Sequence, residues 1–373
     1  MNKIRIALTG GGSGGHVYPL LAIAEELQRI GTAQKANLEI VHFGPKDAFA
    51  PLFTNAGIKR RSIMGAKLRS YSTLQNILDV PKFFIGIFQA FLKIFWYMPD
   101  VIFSKGGPGA FPVVLAGWFY KIPILIHESD AIPGATNILS SHFATRIAIT
   151  FEEAKRYFDP TRTATVGNPV RPWLIKDKPE PKVAKQLLGF NPEAPLTVIL
   201  GGSQGSQRIN EFIVANLPTI LKETQLFHQT GTNNFSEIEA LSKAAFPSAT
   251  SYKVVAYITE ELKNVLAAAD CIVGRAGNGT ISEAAAFGKP MILIPLPESA
   301  NDHQRANARE FKKVGGGIII EEANLLQEIF VSALKKILTD SSVKERMSAA
   351  ATSFFKPTAA EVIAQEILLL GKN

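Results

Sequence analysis

The feature that most constrains the fold is a glycine-rich loop that follows an apolar strand and occurs once in each half of the chain. Residues 11–15 (GGSGG) follow the apolar run 4–9, and residues 201–205 (GGSQG) follow the apolar run 197–200. A loop of this kind lies at the carboxyl end of a strand, where open α/β sheets bind their ligands. The repeat therefore predicts an α/β chain with two Rossmann-like, doubly wound domains that face each other across one cleft.

Strand and helix signals alternate on both sides of a proline-rich connection. Residues 167–172 (GNPVRP) interrupt the pattern, and residues 177–181 (DKPEP) have the composition of a linker. We predict an N-terminal domain at 1–169 and a C-terminal domain at 170–354, with a last helix within 355–373 that packs back on the first domain. Apolar periodicity predicts strands at 4–9, 38–43, 101–103, 122–126, 146–149, 197–200, 226–229, 253–256, 271–273, 291–294 and 317–320, and helices at 20–30, 207–221 and 359–370.

The composition is that of a globular protein, because 46% of the 373 residues are hydrophobic and only 19% are charged. Cys271 is the single cysteine, which excludes an internal disulfide. The first residues lack the features of a secretory signal, so we expect a cytoplasmic location. The net charge of +8 suits nucleic acid, an anionic membrane or a phosphorylated substrate equally well, and charge alone does not choose among them.

Residues 80–98 form an apolar, aromatic stretch that is long enough to raise the question of a membrane span. Lys82, Gln89 and Lys93 share one helical face, so the stretch predicts an amphipathic helix over 81–97; two lysines in mid-span disfavour a transmembrane helix. Two interpretations stay open: the apolar face packs against a sheet, or it contacts a lipid interface beside the lysines. Lys67 and Arg69, just upstream, favour the second.

Residues 274–283 (GRAGNGTISE) predict a strand end, a glycine-rich turn and a helix start with Glu283 in the first turn. The free amides and positive dipole end of such a helix favour an anion such as a pyrophosphate. Glu283 could accept hydrogen bonds from ribose hydroxyls. The structural alternative is a tight turn whose glutamate only complements the helix dipole.

Gly10, Gly12 and Gly15 satisfy the dinucleotide pattern G-x-G-x-x-G, which also requires an acidic residue at the end of the second strand. That acid is missing, since the strand ends at Phe43 and Gly44, so we expect no nicotinamide or flavin. His16 opens the helix after the glycines. It is either a polar cap or a general base in a ligand site.

Residues 127–130 (HESD) follow the predicted strand 122–126 and so lie at the ligand edge of the sheet, where polar clusters are usually functional. The chain has neither the paired acids of metal-dependent sugar transferases nor a helical H-E-x-x-H motif. We therefore expect phosphate binding by amides, with no metal ion and no other cofactor. Residues 301–307 (NDHQRAN) could contact the sugar of a nucleotide sugar, or could only cap a helix.

Seven segments together resemble the MurG family of peptidoglycan N-acetylglucosaminyltransferases (glycosyltransferase family 28) in order and spacing. They are residues 11–19, 104–107, 127–137, 167–171, 201–205, 274–283 and 302–307. The resemblance implies the GT-B fold and transfer of GlcNAc from UDP-GlcNAc to the muramyl sugar of lipid I (undecaprenyl-pyrophosphoryl-MurNAc-pentapeptide), giving lipid II with inversion at the anomeric carbon. It also implies peripheral attachment to the anionic cytoplasmic face of the inner membrane, and no nucleic acid partner.

The resemblance further implies roles for single residues. His16 is implied as the general base, with Glu128 and Asp130 as the other catalytic candidates. Glu283 would bind the ribose, and Gln304 the GlcNAc hydroxyls. The remaining implied substrate-binding residues are Ser13, Gly14, Gly15, Asp130, Asn137, Arg171, Ser203, Gln204, Ile258, Asn278, Gly279, Thr280, Ile281 and Ser282.

Three places depart from the common family pattern. Asp130 stands where many members have Asn, Pro108 where an aromatic residue is common, and Asn278 with Gly279 where Ala-Leu is common. Two other functions stay open alongside the transferase: a UDP-sugar epimerase with the same fold, and a non-catalytic protein that binds nucleotide sugars.

Overall fold

The computed structural model describes residues 3–65, 74–202, 205–245 and 250–372. The chain divides into two compact units. Unit 1 contains the described residues up to Pro172 together with those from Lys356 onward, and unit 2 is Trp173–Phe355.

Unit 1 is built on a seven-stranded parallel sheet with the strand order β3-β2-β1-β4-β5-β6-β7. The central strands are apolar on both faces because helices cover both sides of a parallel sheet. The strands are β1 Ile4–Thr9, β2 Leu38–Gly44, β3 Lys59–Ser62, β4 Val101–Ser104, β5 Ile124–Glu128, β6 Arg146–Ile149 and β7 Thr163–Thr165. The helices of this unit are α1 Gly14–Ala33, α2 Ala50–Asn55, α3 Leu74–Tyr97, α4 Ala110–Phe119, α5 Ala135–Ser141 and, at the end of the chain, α16 Ala359–Leu370, with a 3-10 helix at Glu152–Tyr157.

Helix α16 completes the core of unit 1. Ile363 and Ile367 of α16 are buried in one cluster with Leu20, Ile23 and Leu27 of α1. The buried face of this helix therefore packs against the first part of the chain.

Unit 2 has a six-stranded parallel sheet with the order β10-β9-β8-β11-β12-β13. Its strands are β8 Leu196–Leu200, β9 Gln225–Gln229, β10 Tyr252–Val255, β11 Cys271–Gly274, β12 Met291–Leu293 and β13 Gly317–Ile319. Its helices are α6 Pro172–Ile175 (which begins at the last residue of unit 1), α7 Pro181–Leu187, α8 Gln207–Ala215, α9 Leu217–Ile220, α10 Phe235–Ala245, α11 Leu262–Ala268, α12 Asn278–Ala286, α13 His303–Lys313, α14 Gln327–Thr339 and α15 Ser341–Phe354, with 3-10 helices at Ala300–Asp302 and Glu322–Asn324.

The structure corrects several predicted elements of unit 1. Strand β3 has the sequence KRRS and was not predicted, because it has no apolar run. Helix α1 begins at Gly14 rather than at residue 20, since two glycines and Pro19 hide its first turns from a propensity pattern. Strand β5 ends at Glu128, not at residue 126, so His127 and Glu128 belong to the strand itself.

Two elements of unit 2 also differ from prediction. The helix predicted over 207–221 is two helices, α8 and α9, divided at Asn216 just before Pro218. Glu283 lies in the second turn of α12, and the prediction of a first-turn carboxylate was wrong because the helix begins only at Asn278.

Candidate functional site

The glycine-rich loop after β1 packs against a second glycine-rich loop, after β4. A Cβ atom on Gly107 would lie 2.6 Å from the carbonyl oxygen of Gly11 and 2.9 Å from Nδ1 of His16. Gly107 also has φ +85°, a conformation that side chains disfavour. Glycine at this position therefore lets the imidazole of His16 lie directly on the second loop.

His16 is the third residue of α1, and Ser13 is the N-cap of that helix. The Ser13 hydroxyl does not cap a helix amide; Oγ lies 3.0 Å from Nδ1 of His16. When Nδ1 carries the proton and donates to Ser13, Nε2 is the unprotonated nitrogen. Gly14 and Gly15 are the first two residues of the helix. The start of α1 therefore contains four of the predicted site residues: Ser13, Gly14, Gly15 and His16.

Glu128 has a different environment, although it was also a catalytic candidate. Its side chain is 3% exposed, and its carboxylate accepts three hydrogen bonds. Oε1 accepts from the Asp130 amide at 2.9 Å, and Oε2 accepts from the Gly134 amide at 3.1 Å and from Nδ2 of Asn137 at 3.0 Å. A carboxylate used in this way organises the 130–137 loop, and this geometry favours His16 over Glu128 as the base. Asp130 is partly exposed.

Asn137 connects this loop to the β4 loop. Its Nδ2 donates to Glu128 and also to the carbonyl of His127 at 3.1 Å. Its Oδ1 is buried without a hydrogen-bond partner in the described part of the chain, and a Cβ on Gly106 would lie 2.6 Å from that oxygen. A continuous series of contacts in unit 1 thus runs from His16 through the two glycines of the β4 loop to Asn137 and Glu128.

Sequence reasoning assigned no role to Lys105, at the end of β4. The side chain is fully buried, and its Nζ donates to Oγ of Ser129 at 2.8 Å. The available signal was a lysine between an apolar strand and two glycines, which is compatible with an exposed loop as well. Arg171 lies beside the first turns of α1: its guanidinium is 4.4 Å from the centroid of the Tyr18 ring, and a Cβ on Gly14 would lie 3.1 Å from that ring.

In unit 2, β11 leads through residues 275–277 into α12, whose N-cap is Gly277. The first amides of a helix have no partner within it and favour an anion. Glu283 is half-buried on this helix, and Gly279 and Thr280 are also partly exposed. The Ile281 side chain is fully buried, and so is most of Asn278 and Ser282, whose side chains bond each other at 3.1 Å. Nδ2 of Asn278 has no hydrogen-bond partner in the described part of the chain.

The loop before α12 is braced by charged and amide side chains. Arg275 pairs with Glu322 and donates to the carbonyls of Ile294 and Pro295. Asn307 of α13 donates to the carbonyl of Ala276 at 3.2 Å. These contacts fix the turn that would face a diphosphate.

Gln304 of α13 has a defined amide orientation. Its Oε1 accepts from the backbone amide of Leu296 at 3.1 Å, so Nε2 is the group that can donate to a ligand. The neighbouring Arg305 is held by Asp302 and by Glu321. Ile258, implied as a uracil contact, is 6% exposed after β10.

The loop after β8 is held by β9. The Gly201 amide donates to the Gln229 carbonyl at 2.9 Å, and Nε2 of Gln229 donates to the Gly202 carbonyl at 3.0 Å. Ser203 and Gln204, both predicted to contact substrate, lie outside the described residues. Lys67 and Arg69, predicted beside the amphipathic helix, also lie outside them.

A buried polar chain supports the same end of β9. Nδ1 of His228 lies 2.9 Å from the Tyr252 hydroxyl, and Nε2 lies 3.0 Å from Oδ1 of Asn210. Nδ2 of Asn210 donates to the Thr230 carbonyl, so Oδ1 accepts the proton of Nε2 and Tyr252 donates to Nδ1. Burial lowers the pKa of His228 to about 3, so the imidazole is neutral at physiological pH.

Helix α3, which contains the 81–97 segment, buries one face against unit 1 and leaves another face exposed. Gly86, Ala90 and Ile94 are buried against unit 1, while Gln89 accepts from the Met64 amide and Lys93 donates to the Ser62 carbonyl. The polar face therefore packs on the segment that follows β3, and a second apolar face remains exposed. We call this surface the aromatic patch; its exposed side chains on α3 and α4 are Phe84, Ile85, Phe88, Leu92, Phe95, Trp96, Trp118 and Phe119.

No helix among the described residues is both long enough and apolar enough to cross a membrane. No group of three or more His, Cys, Asp or Glu side chains in that part of the chain is arranged to hold a metal ion.

Comparisons with known proteins decide the family. The glycosyltransferase family 28 N-terminal domain matches residues 6–149, and the family 28 C-terminal domain matches residues 196–363. A UDP-N-acetylglucosamine--N-acetylmuramyl-(pentapeptide) pyrophosphoryl-undecaprenol N-acetylglucosamine transferase 2 from Bacillus cereus is 36% identical over 348 residues, which cover 89% of this chain and 95% of that protein. The chain belongs to glycosyltransferase family 28.

Other relatives agree with membership of family 28. The transferase of the same name (without a number) from Clostridium perfringens is 36% identical, with 90% of this chain and 91% of that protein covered. The crystal structure of Acinetobacter baumannii MurG aligns with a TM-score of 0.73 and 25% identity over 98% of this chain and 99% of that one. The family 28 chain therefore has the GT-B fold. UDP-GlcNAc 2-epimerase from Neisseria meningitidis, bound to UDP-GlcNAc, aligns with a TM-score of 0.69 over the full length of both chains but is only 15% identical, which shows a shared fold alone.

Proposed function

We propose that this chain transfers GlcNAc from UDP-GlcNAc to the muramyl sugar of lipid I and so produces lipid II. The observation that carries the proposal is the nearly full-length similarity, at 35–36% identity, to transferases whose names state the GlcNAc and muramyl-pentapeptide substrates. The competing epimerase function has only the fold in its favour, and fold alone does not determine function.

In this proposal, unit 2 binds the donor. The first amides of α12 receive the diphosphate, the Glu283 carboxylate accepts hydrogen bonds from the ribose hydroxyls, and Nε2 of Gln304 donates to a GlcNAc hydroxyl. Support comes from the half-buried position of Glu283 on α12 and from the fixed amide orientation of Gln304. Negative charge that develops on UDP as it leaves is stabilised by helix-end amides that are already oriented.

Unit 1 supplies the acceptor site and the base. Nε2 of His16 removes the proton of the acceptor hydroxyl while that oxygen attacks the anomeric carbon of GlcNAc. The bond to the UDP oxygen breaks with its electron pair, and the configuration inverts. Support for this role is the contact between Nδ1 and Ser13 and the packing of the ring on Gly107, which hold the imidazole in one orientation.

The aromatic patch attaches unit 1 to the surface of an anionic bilayer, where an undecaprenyl-linked acceptor is embedded. Its members are unusually exposed for large apolar side chains: Phe88 is 66% and Trp96 is 76% exposed. Lys82 is exposed on the same helix, and β3 contributes Lys59, Arg60 and Arg61. Apolar contact beside basic residues is the combination that interfacial helices use.

The decisive experiment is transfer of labelled GlcNAc from UDP-GlcNAc to a lipid I analogue, with His16→Ala as the control for catalysis. Formation of the lipid II analogue by the wild-type protein supports the proposal. An epimerised UDP-sugar formed without acceptor would favour the epimerase, and UDP-GlcNAc binding without any turnover in the presence of lipid I would favour a binding protein.

A further inference from the structure

Lys105 is a cation that is completely removed from water. Its side chain is 0% exposed, at the carboxyl end of β4, and its Nζ donates to Ser129 Oγ. Lysine is almost never buried to this extent unless an anion compensates its charge, because desolvation of an ammonium group is costly.

Glu128 directly precedes Ser129, the hydrogen-bond partner of this lysine, and its carboxylate is buried. Three N–H groups point at this carboxylate, from Asp130, Gly134 and Asn137. Hydrogen bonds donated to a carboxylate stabilise its ionised form. The hydrogen-bond pattern therefore favours the ionised form, even though the group is buried.

Two other ionisable groups, Asp130 and His127, bear on Lys105 and Glu128. Burial raises the pKa of Glu128, Asp130 raises it further, and Lys105 lowers it. Burial lowers the pKa of Lys105, whereas Glu128 and Asp130 raise it. Burial and then Lys105 hold the pKa of His127 well below its usual value, so this imidazole is neutral and contributes no second cation. Lys105 is therefore the cation that opposes the effect of burial on Glu128.

We propose that Lys105 is a positioning residue for the acceptor half of the reaction: through Ser129 and the adjacent Glu128 carboxylate it fixes the 129–137 loop, which holds Asp130 and Asn137 in place for the acceptor sugar. This inference depends on the transferase function proposed above. It links the buried pair to the chemistry because Asn137 lies against Gly106, and the adjacent Gly107 carries the ring of His16. A displaced Asn137 would change the wall of the site beside the base.

The test compares Lys105→Met with wild type in two assays. We expect kcat/KM for a lipid I analogue to fall about 10-fold or more, while the Kd for UDP-GlcNAc changes less than twofold. Without the lysine the pKa of Glu128 rises further, so the activity of Lys105→Met should recover as pH rises. Lys105→Arg, which keeps the charge, should retain the wild-type pH profile.

The double variant Lys105→Met with Glu128→Gln separates this mechanism from simple loss of core stability. With no carboxyl left to titrate, it should lose the pH-dependent recovery, and it should unfold at a higher temperature than Lys105→Met because no unpaired charge is buried. A folded Lys105→Met protein with wild-type acceptor KM and pH profile would overturn the inference. So would an equal loss of donor and acceptor binding. A wild-type protein that fails to transfer GlcNAc would instead overturn the proposed function.

Discussion

The Ser13 hydroxyl lies 3.0 Å from Nδ1 of His16, although Ser13 is the N-cap residue of α1. An N-cap serine usually accepts from a backbone amide of the first turn. Here the hydroxyl contacts a side chain instead, and the Ser13 side chain accepts from no backbone amide of the first turn of α1. The contact orients the imidazole.

His16→Ala should therefore lower kcat by about 10² to 10⁴, the usual contribution of a positioned base, and leave the KM for UDP-GlcNAc nearly unchanged. The acidic limb of the kcat profile should disappear in the same variant. Steady-state kinetics across pH check both results. A variant that keeps its kcat and its acidic limb would identify Asp130 as the better candidate.

Gly107→Ala should damage the same site without touching the donor. Its Cβ would meet the Gly11 carbonyl and the His16 ring, so either the ring or a glycine loop has to move. We expect kcat to fall roughly 10-fold or more and the free energy of unfolding to fall by about 1–3 kcal/mol, because of the positive φ. Gly134→Ala is the matched control, since its Cβ would meet nothing within 4 Å and its φ is −71°. Equal kinetics for the two variants would argue against close packing at His16.

Glu283→Ala should weaken UDP binding about 10-fold or more, since loss of a hydrogen bond to a charged group typically costs about 1.5–3 kcal/mol. Calorimetric titration with UDP measures this effect directly. Gln304→Ala should leave UDP affinity unchanged and weaken only UDP-GlcNAc, because the proposed contact is to the sugar. Unchanged UDP affinity in folded Glu283→Ala would remove this carboxylate from the nucleotide site.

The paired change Phe84→Ser with Phe88→Ser should reduce binding to vesicles that contain anionic lipid by roughly 10-fold or more, because each phenylalanine loses an apolar burial of about 1.5–3 kcal/mol. Raising the salt concentration should weaken wild-type binding as well. Leu187→Ser is the control: Leu187 is 64% exposed, similar to the 63% of Phe84, but lies on α7 of unit 2. Vesicle flotation that does not distinguish these variants would argue against the aromatic patch as the contact surface.

Acid should destabilise the fold partly through His228. Its pKa falls from an ordinary value of 6.5 to about 3 on folding, so the unfolded chain binds more protons between these pH values. The stabilisation from the neutral imidazole is complete above pH 6.5 and is lost as pH falls toward 3; at pH 5 the loss is about 2 kcal/mol. Thermal unfolding of wild type and His228→Gln at pH 7.5 and pH 5 should show a Tm gap that narrows in acid. A gap that stays constant would mean that His228 does not titrate in this way.

The sequence predicted the parts of the fold that depend on local pattern. Apolar runs located the strands of both sheets except β3 and β7, because Lys59–Ser62 and Thr163–Thr165 contain no apolar run. Helix α3 was predicted as amphipathic, but not which face it buries. That choice depends on Gln89 and Lys93 reaching the backbone of residues 62–64, and such long-range contacts leave no trace in the local periodicity.

The candidate site, too, was predicted only where local sequence pattern determines it. The placement of the glycine loops and His16 in a ligand site could be predicted from the motif, because loops at the carboxyl ends of strands form the ligand sites of open α/β sheets. The role of Glu128 did not follow, because its three donors come from a loop whose conformation is not encoded in spacing. Lys105 was missed for a related reason: only the folded structure shows that it is enclosed.

Helix α16 gives the chain an unusual order of assembly. Its residues 359–370 cover the apolar side of α1, which is made more than 300 residues earlier on the ribosome. Until that late segment emerges, Leu20, Ile23 and Leu27 lack part of their cover, and unit 1 stays incomplete while unit 2 is already able to fold. Unit 2 is thus an insertion closed at both ends by unit 1, so a nascent chain carries an incomplete unit 1 through about the second half of its synthesis.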